Sequence, residues 1–284
     1  MNNPLQGFYR TPKTYTQIPS QGMFYSPDII EMTAETREVA IKAMTSQDEM
    51  LFKNPEALLN GEAVINALKS CVVGLGDTKK LLANDVDALL VAIRIASFGD
   101  DMDITITCPE CKEENTFGFD LNGCLSNMSF LEESYDIHLD NGLTVNIKPH
   151  LYSDTLKSMM SAFEQSKLIK SLDDTSKTEE ERLKLFSKSF KHLVNLNFEV
   201  FCNSINYISH EQEGIHIEND LKNRSNILEF LKNIDKTDSD KIQEKITEVN
   251  SKGINKNTHA TCTKCGHEWE TMIEIDPVVF FSGS

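Results

Sequence analysis

Two stretches decide the fold: "DITITCPECKEENTFGFDL" at Asp103–Leu121 and "THATCTKCGHEWETMIEI" at Thr258–Ile275. Each sets a Cys-x-x-Cys pair between segments of alternating, β-branched character, so each reads as strand, knuckle, strand. Two residues between cysteines let one tight turn supply two thiolates, and two such turns complete the tetrahedron of soft ligands that a zinc ion prefers. Cys108, Cys111, Cys262 and Cys265 are therefore the predicted ligands of one structural Zn2+, with no position left open for a substrate. The knuckles lie 151 positions apart. Sequence distance is immaterial once the fold brings both hairpins together, so everything between them becomes an insertion closed at its base by metal.

Rival readings of the same cysteines are weaker. A pair of redox dithiols is disfavoured because thioredoxin-type CxxC motifs open a helix, whereas strands flank both motifs here. Two independent metal sites would leave each knuckle short of ligands. His267 stands two places after Cys265 and could replace a thiolate, but four thiolates already suffice. Gly266 follows the second knuckle where the turn needs a positive φ; Lys112 holds the corresponding place in the first, where glycine is easier to accommodate. Cys71, Cys124 and Cys202 fall in or beside apolar patterns and read as small buried residues.

Outward from the knuckles, the pattern is mixed. Residues 1–35 combine Pro, Gly, Ser, Thr and aromatics without a sustained period and read as an extended N-terminal arm. Residues 36–150 read as a mixed α/β part carrying the first knuckle. It holds a strand at Glu38–Met44, a capping signal at Thr45-x-x-Asp48, an amphipathic helix through Val64, Ile65, Leu68 and Val72, and a helix over about Asp85–Phe98, apolar nearly all round and stopped by Gly99. "YDIHL" and "LTVNIK" flank Asn141-Gly142, a strong hairpin signal. Residues 151–257 read as a large helical insertion. Its longest helix would open on a capping box at Thr178-x-x-Glu181 and run through Phe186, Phe190 and Phe198 to Ile205 and Ile208. Residues 258–284 carry the second knuckle and the apolar tail "PVVFF". The fold class expected is α+β, a zinc ribbon built from two distant β-hairpin knuckles with a helical insertion. Tyr9, Phe24 and Tyr25 in the arm and Phe280 and Phe281 in the tail are the candidate partner-binding residues, as aromatic anchors that a short polar segment cannot bury alone.

Composition restricts the function. With 284 residues, 39% hydrophobic and 25% charged, the chain can bury a core without disulfides. Its net charge of −16 is concentrated: residues 101–150 carry 2 basic against 10 acidic side chains. Such a surface repels phosphate backbones and anionic lipid, so neither nucleic acid nor membrane is an expected partner. Seven cysteines leave one unpaired, the first residues show no charged-then-apolar leader, and the longest apolar run is Ala88–Ile93, which together predict a reducing cytoplasm. No catalytic constellation is visible: the seven histidines are scattered, and "GLGD" at Gly74–Asp77 lacks a phosphate-loop lysine. A non-enzyme without a small-molecule substrate is expected.

The ordered phrases "IPSQGMFYS", "MTSQDEMLFKNPEALLNG", "INALKSCV", "DVDALLVAIRIASFGDDMDITITCPEC" and "NRSNILEFLKNID", with the second C-x-x-C-G and the terminal "DPVVFF", resemble the baseplate hub and hub-assembly protein family of T4-like contractile-tailed bacteriophages. The resemblance spans nearly the whole chain and is weakest over 125–220. It implies a late viral protein required to assemble the tail baseplate hub in the cytoplasm of the infected bacterium, with other phage baseplate hub proteins as partners. The alternative it leaves open is a permanent hub subunit in the virion tail. The zinc ligands carry over as Cys108, Cys111, Cys262 and Cys265, and Lys112 departs from the glycine expected at its place.

Overall fold

A computed structural model describes residues 3–172, 179–273, 275 and 277–281. In chain order the strands and helices are β1 (Pro12–Thr16), β2 (Val39–Lys42), α1 (Ser46–Phe52), α2 (Pro55–Leu59), α3 (Glu62–Cys71), α4 (Ala83–Phe98), β3 (Asp101–Thr107), β4 (Glu114–Asp120) and α5 (Leu121–Ser126). There follow β5 (Tyr135–His138), β6 (Thr144–Ile147), α6 (Tyr152–Leu172), α7 (Glu179–Asn203), β7 (Ile205–His210), β8 (Ile215–Glu218), α8 (Arg224–Asn233) and α9 (Lys236–Ser251). The chain closes with β9 (Asn257–Thr261), β10 (Glu268–Met272) and α10 (Pro277–Phe281). Helices and small antiparallel sheets in this arrangement make the fold α+β. It divides into two compact units, Met1–Leu131 with Lys252–Ser284, and Glu132–Ser251.

The first unit is organised by α4, which is buried nearly all round and stops at Gly99, where φ is +97°. β1 and β2 pair antiparallel beside it. The helix α1 starts as the sequence predicts: the Thr45 hydroxyl accepts from the Asp48 amide, and the Asp48 carboxylate accepts from the Thr45 amide at 2.7 Å. Asn54 caps α2 with Pro55 at its first position. Three two-stranded sheets belong to this unit: β1–β2 and the two knuckle hairpins β3–β4 and β9–β10.

The expectation of an extended arm over 1–35 is corrected. Beyond about residue 10 this segment packs into the first unit: β1 lies within it, and Ile18, Ile29 and Ile30 are buried. Asp85, fully buried in the first turn of α4, accepts hydrogen bonds from the Ser20 amide (2.8 Å) and the Tyr25 hydroxyl (2.5 Å), while the Tyr25 oxygen accepts from the Leu82 amide (2.8 Å). Arg10 fastens the segment's outer end, donating to the Ser70 carbonyl at 2.7 Å. The chain spends its polar groups inward here, which an aromatic count does not reveal.

The tail is corrected too. Phe280 and Phe281 are buried, and the Phe281 ring stacks on Phe52 of α1 with centroids 4.5 Å apart. Phe52 of α1 supplies the apolar partner that the short helix α10 lacks on its own.

The second unit holds a four-stranded antiparallel sheet in the order β5-β6-β7-β8, with α6 to α9. The β5–β6 hairpin, assigned from sequence to the part before residue 150, therefore belongs with the insertion, whose sheet it begins. Its turn uses Gly142 at φ +84°. The long helix α7 ends at Asn203 rather than running through Ile205 and Ile208, which lie on β7. Their spacing of three imitates a helix because the register slips between Asn146 and Ile147, where β6 pairs with β7, so both isoleucines are buried from one strand. The Asn219 side chain then donates to the carbonyls of Cys202 (2.6 Å) and Ile205 (2.7 Å), satisfying the helix end. The capping box at Thr178 and Glu181 lies outside the residues whose side chains are described.

Candidate metal centre

The two knuckles have matching hydrogen bonds. In the first, the Cys108 amide donates to the Glu113 carbonyl (2.8 Å) and the Lys112 amide to the Cys108 carbonyl (3.1 Å); in the second, Cys262 donates to His267 (2.8 Å) and Gly266 to Cys262 (3.0 Å). Each loop thereby closes on its own hairpin and turns both sulfurs to one side. The residue after the second cysteine has positive φ in each case, +61° at Lys112 and +72° at Gly266. Lysine therefore accepts the left-handed conformation that the turn imposes, at a cost glycine does not bear.

The four sulfurs converge. Cys108 Sγ lies 3.8 Å from Cys265 Sγ, Cys111 Sγ lies 3.5 Å from Cys262 Sγ, and all four fall within 4.8 Å of one another. These separations are far beyond a disulfide bond of about 2.0 Å. They match the edge of a tetrahedron with metal–sulfur bonds of about 2.3 Å, which is roughly 3.8 Å. The donor set and its size are thus compatible with zinc. Cys108 and Cys262 are buried, while Cys265 is exposed, so the cluster sits at a surface with one side closed by protein.

Several contacts lock one knuckle to the other. Asn115, buried on β4, accepts from the amide and the hydroxyl of Thr263 at 2.8 Å each, and its Nδ2 lies 3.7 Å from Cys262 Sγ. Lys264 Nζ reaches the Glu113 carboxylate at 2.6 Å. Trp269 on β10, the chain's one tryptophan, meets Phe117 of β4 edge-on at 6.4 Å. Nothing short of the fold points to Asn115; its nearest sequence signal is its place four residues after Cys111.

The electrostatics favour thiolates unequally. Amides of Cys265 and then Lys264 hold the Cys262 thiol down, to about 6. The His267 amide acts in the same sense on Cys265, but the neighbouring sulfurs, Cys111 first, outweigh it and push that thiol up to about 12. Four sulfurs at this distance cannot all carry charge without a cation between them, which is what a divalent metal supplies. His267 is not among the four converging groups, and its ring stacks on Trp269 at 5.9 Å. Cys71, Cys124 and Cys202 are buried and are not among the four converging sulfurs, and burial pushes Cys71 and Cys124 up to about 11.

Of the candidate partner-binding residues, Tyr9 is 58% exposed, Phe24 and Tyr25 are half-buried, and Phe280 and Phe281 are inside. The second unit also has an open cleft of about 400 Å³ lined by His150, Phe198, Phe201, Ser204 and Ile246. His150 Nε2 and Ser204 Oγ stand 2.6 Å apart there, but Ser204 is fully buried and donates its own proton to the Val200 carbonyl at 3.0 Å. A serine so engaged has no proton to give the imidazole, and the pair reads as a structural tie between the start of α6 and the end of α7.

A family model described as T4 bacteriophage base plate protein matches residues 14–281. The chain belongs to that family. The match takes in both knuckles and both units of this baseplate protein. No curated protein and no solved structure matches it. Among the described residues, no helix is long and apolar enough to cross a membrane.

Proposed function

We propose that this baseplate protein is a non-enzymatic factor required to assemble the baseplate hub, acting by protein–protein recognition and stabilised by one structural zinc on Cys108, Cys111, Cys262 and Cys265. The observation that carries the reading is the family match over 14–281 coupled to a metal-sized thiol cluster that ties the two ends of a discontinuous unit together. A zinc there is worth on the order of 10–16 kcal/mol in small zinc peptides, enough to hold a unit whose parts are separated by the 120 residues Glu132–Ser251. The acidic stretch 101–150 suits docking on basic client surfaces, which gives fast, salt-sensitive association. It also opposes nucleic-acid and anionic-membrane binding. Assembly would take place in the cytoplasm of the infected bacterium, with other hub proteins as the partners.

The rival is a permanent hub subunit. One observation favours it: large apolar side chains on α7 are exposed, including Phe186 and Phe190, and permanent interfaces are the more apolar kind. A nonsense mutation in this chain combined with quantitative mass spectrometry of purified particles separates the two. The assembly factor leaves infected cells with heads but without complete baseplates, and wild-type particles carry almost none of it. Stoichiometric amounts in washed particles would assign the permanent role; normal tails in the mutant would remove the hub reading.

A further inference from the structure

The pair α6 and α7 has its polarity reversed. Among the described side chains in the outer part of α6 the buried one is Ser161, with Ser158 and Gln165 half-buried on the same face, and Ser158 lines the cleft together with Asn197 and Phe198 of α7. At 100° per residue, Met159 and Met160 lie roughly opposite that face, and both are exposed. On α7 Cys202 is the sole buried side chain among those described. Leu183, Phe186 and Phe190, at spacings of three and four, form an exposed stripe, with the two phenylalanine rings stacked at 6.1 Å. Helices in water normally turn such a stripe inward.

We infer that a second copy of this chain covers the stripe, the two α7 helices crossing antiparallel about a two-fold axis near Phe186 and Phe190. Two observations select this occupant. Leu183, Phe186 and Phe190 are between 48% and 66% exposed. With 150–250 Å² for each aromatic, they offer on the order of 350 Å² of apolar surface. That is the apolar share, about 56–58%, of the roughly 600 Å² that each subunit contributes at the lower end of the stable range. The charges also permit it. Ser187 and Ser189 border the stripe; Lys188 lies on the far side, and Lys184 and Lys191 share one flank with Glu180, which pairs with Lys184 at 3.0 Å, so that flank carries both signs where it would meet its own copy. An isologous contact of this kind closes on itself as a dimer.

The test is the mass of the pure full-length chain in solution, by light scattering and sedimentation from micromolar to near-millimolar concentration. The wild type should be a dimer that dissociates on dilution. Phe186→Glu with Phe190→Glu should raise the dissociation constant at least about tenfold and leave the far-ultraviolet circular dichroism unchanged. Lys188→Glu, on the far face, should leave the dimer intact. A wild-type monomer throughout overturns the inference, and so does a dimer indifferent to the phenylalanine changes. If the monomeric chain instead loses binding to another hub protein or to anionic vesicles in the phenylalanine variant, the stripe belongs to that partner and the second copy is ruled out.

Discussion

Thr263 and Asn115 stand 148 positions apart and share two hydrogen bonds, the Thr263 amide and hydroxyl both donating to Asn115 Oδ1 at 2.8 Å. The same amide group donates through Nδ2 to the Glu113 carbonyl at 3.0 Å and points at Cys262 Sγ, so one buried side chain serves both knuckles and the cysteine cluster.

Asn115→Ala removes the acceptor of both Thr263 donors, and Thr263 is exposed enough for water to take its place. It should destabilise the first unit by about 1–2 kcal/mol, the net worth of two such hydrogen bonds, and weaken metal affinity by about 10–100-fold. Trp269, beside Phe117, reports both changes by fluorescence in a denaturant titration and in a chelator competition. A variant with wild-type midpoint and metal retention would show that the two hairpins are held together without Asn115.

Lys112 carries left-handed strain at φ +61°. Lys112→Gly should raise stability by about 0.5–1 kcal/mol, the strain relieved less the entropy glycine adds to the unfolded chain. Gly266→Ala imposes the same strain at φ +72°, where a Cβ meets no atom within 4 Å, and should cost about 1–2 kcal/mol. Opposite signs for the two substitutions, measured by chemical denaturation, are the expected result.

Burial raises the Asp85 carboxyl to about 6 despite the hydrogen bonds from Ser20 and Tyr25, which pull it down. The folded chain then binds this proton more tightly than the unfolded chain, whose carboxyl titrates near 3.9. Its contribution is complete below about pH 4 and is lost as pH rises through about 6, on the order of 3 kcal/mol. Asp85→Asn removes that slope. The stability difference between wild type and variant should therefore fall by about this amount from pH 4 to pH 7, and a difference independent of pH would contradict it.

Phe281→Ala empties a fully buried site against Phe52 and should cost about 3–5 kcal/mol. A docking element would instead leave stability unchanged and weaken partner binding. Thermal unfolding of the variant distinguishes packing from docking.

The knuckles and the β5–β6 hairpin are legible in sequence because local chemistry forces them: paired cysteines around a tight turn, and Asn141-Gly142 between alternating strands. The capping box at Thr45 and the buried helix α4 follow for the same reason, since each signal lies within one turn of what it determines. Long-range partners decide the rest. Ile205 and Ile208 keep helical spacing on a strand because of a register slip set by β6, sixty residues earlier. Tyr25 and Phe281 look like free anchors until Asp85 and Phe52 are placed beside them. Of the candidate site, the four cysteines are readable from spacing, while Asn115 is an ordinary strand residue until the second knuckle arrives.

The central claim, that the four cysteines close one structural zinc site, is tested most directly by native mass spectrometry of the pure chain beside its Cys262→Ser variant. One zinc per wild-type chain, absent from the variant together with a shifted Trp269 emission, is the expected result. A wild-type chain free of metal, with all four thiols freely titratable and the hairpins still packed, would contradict it.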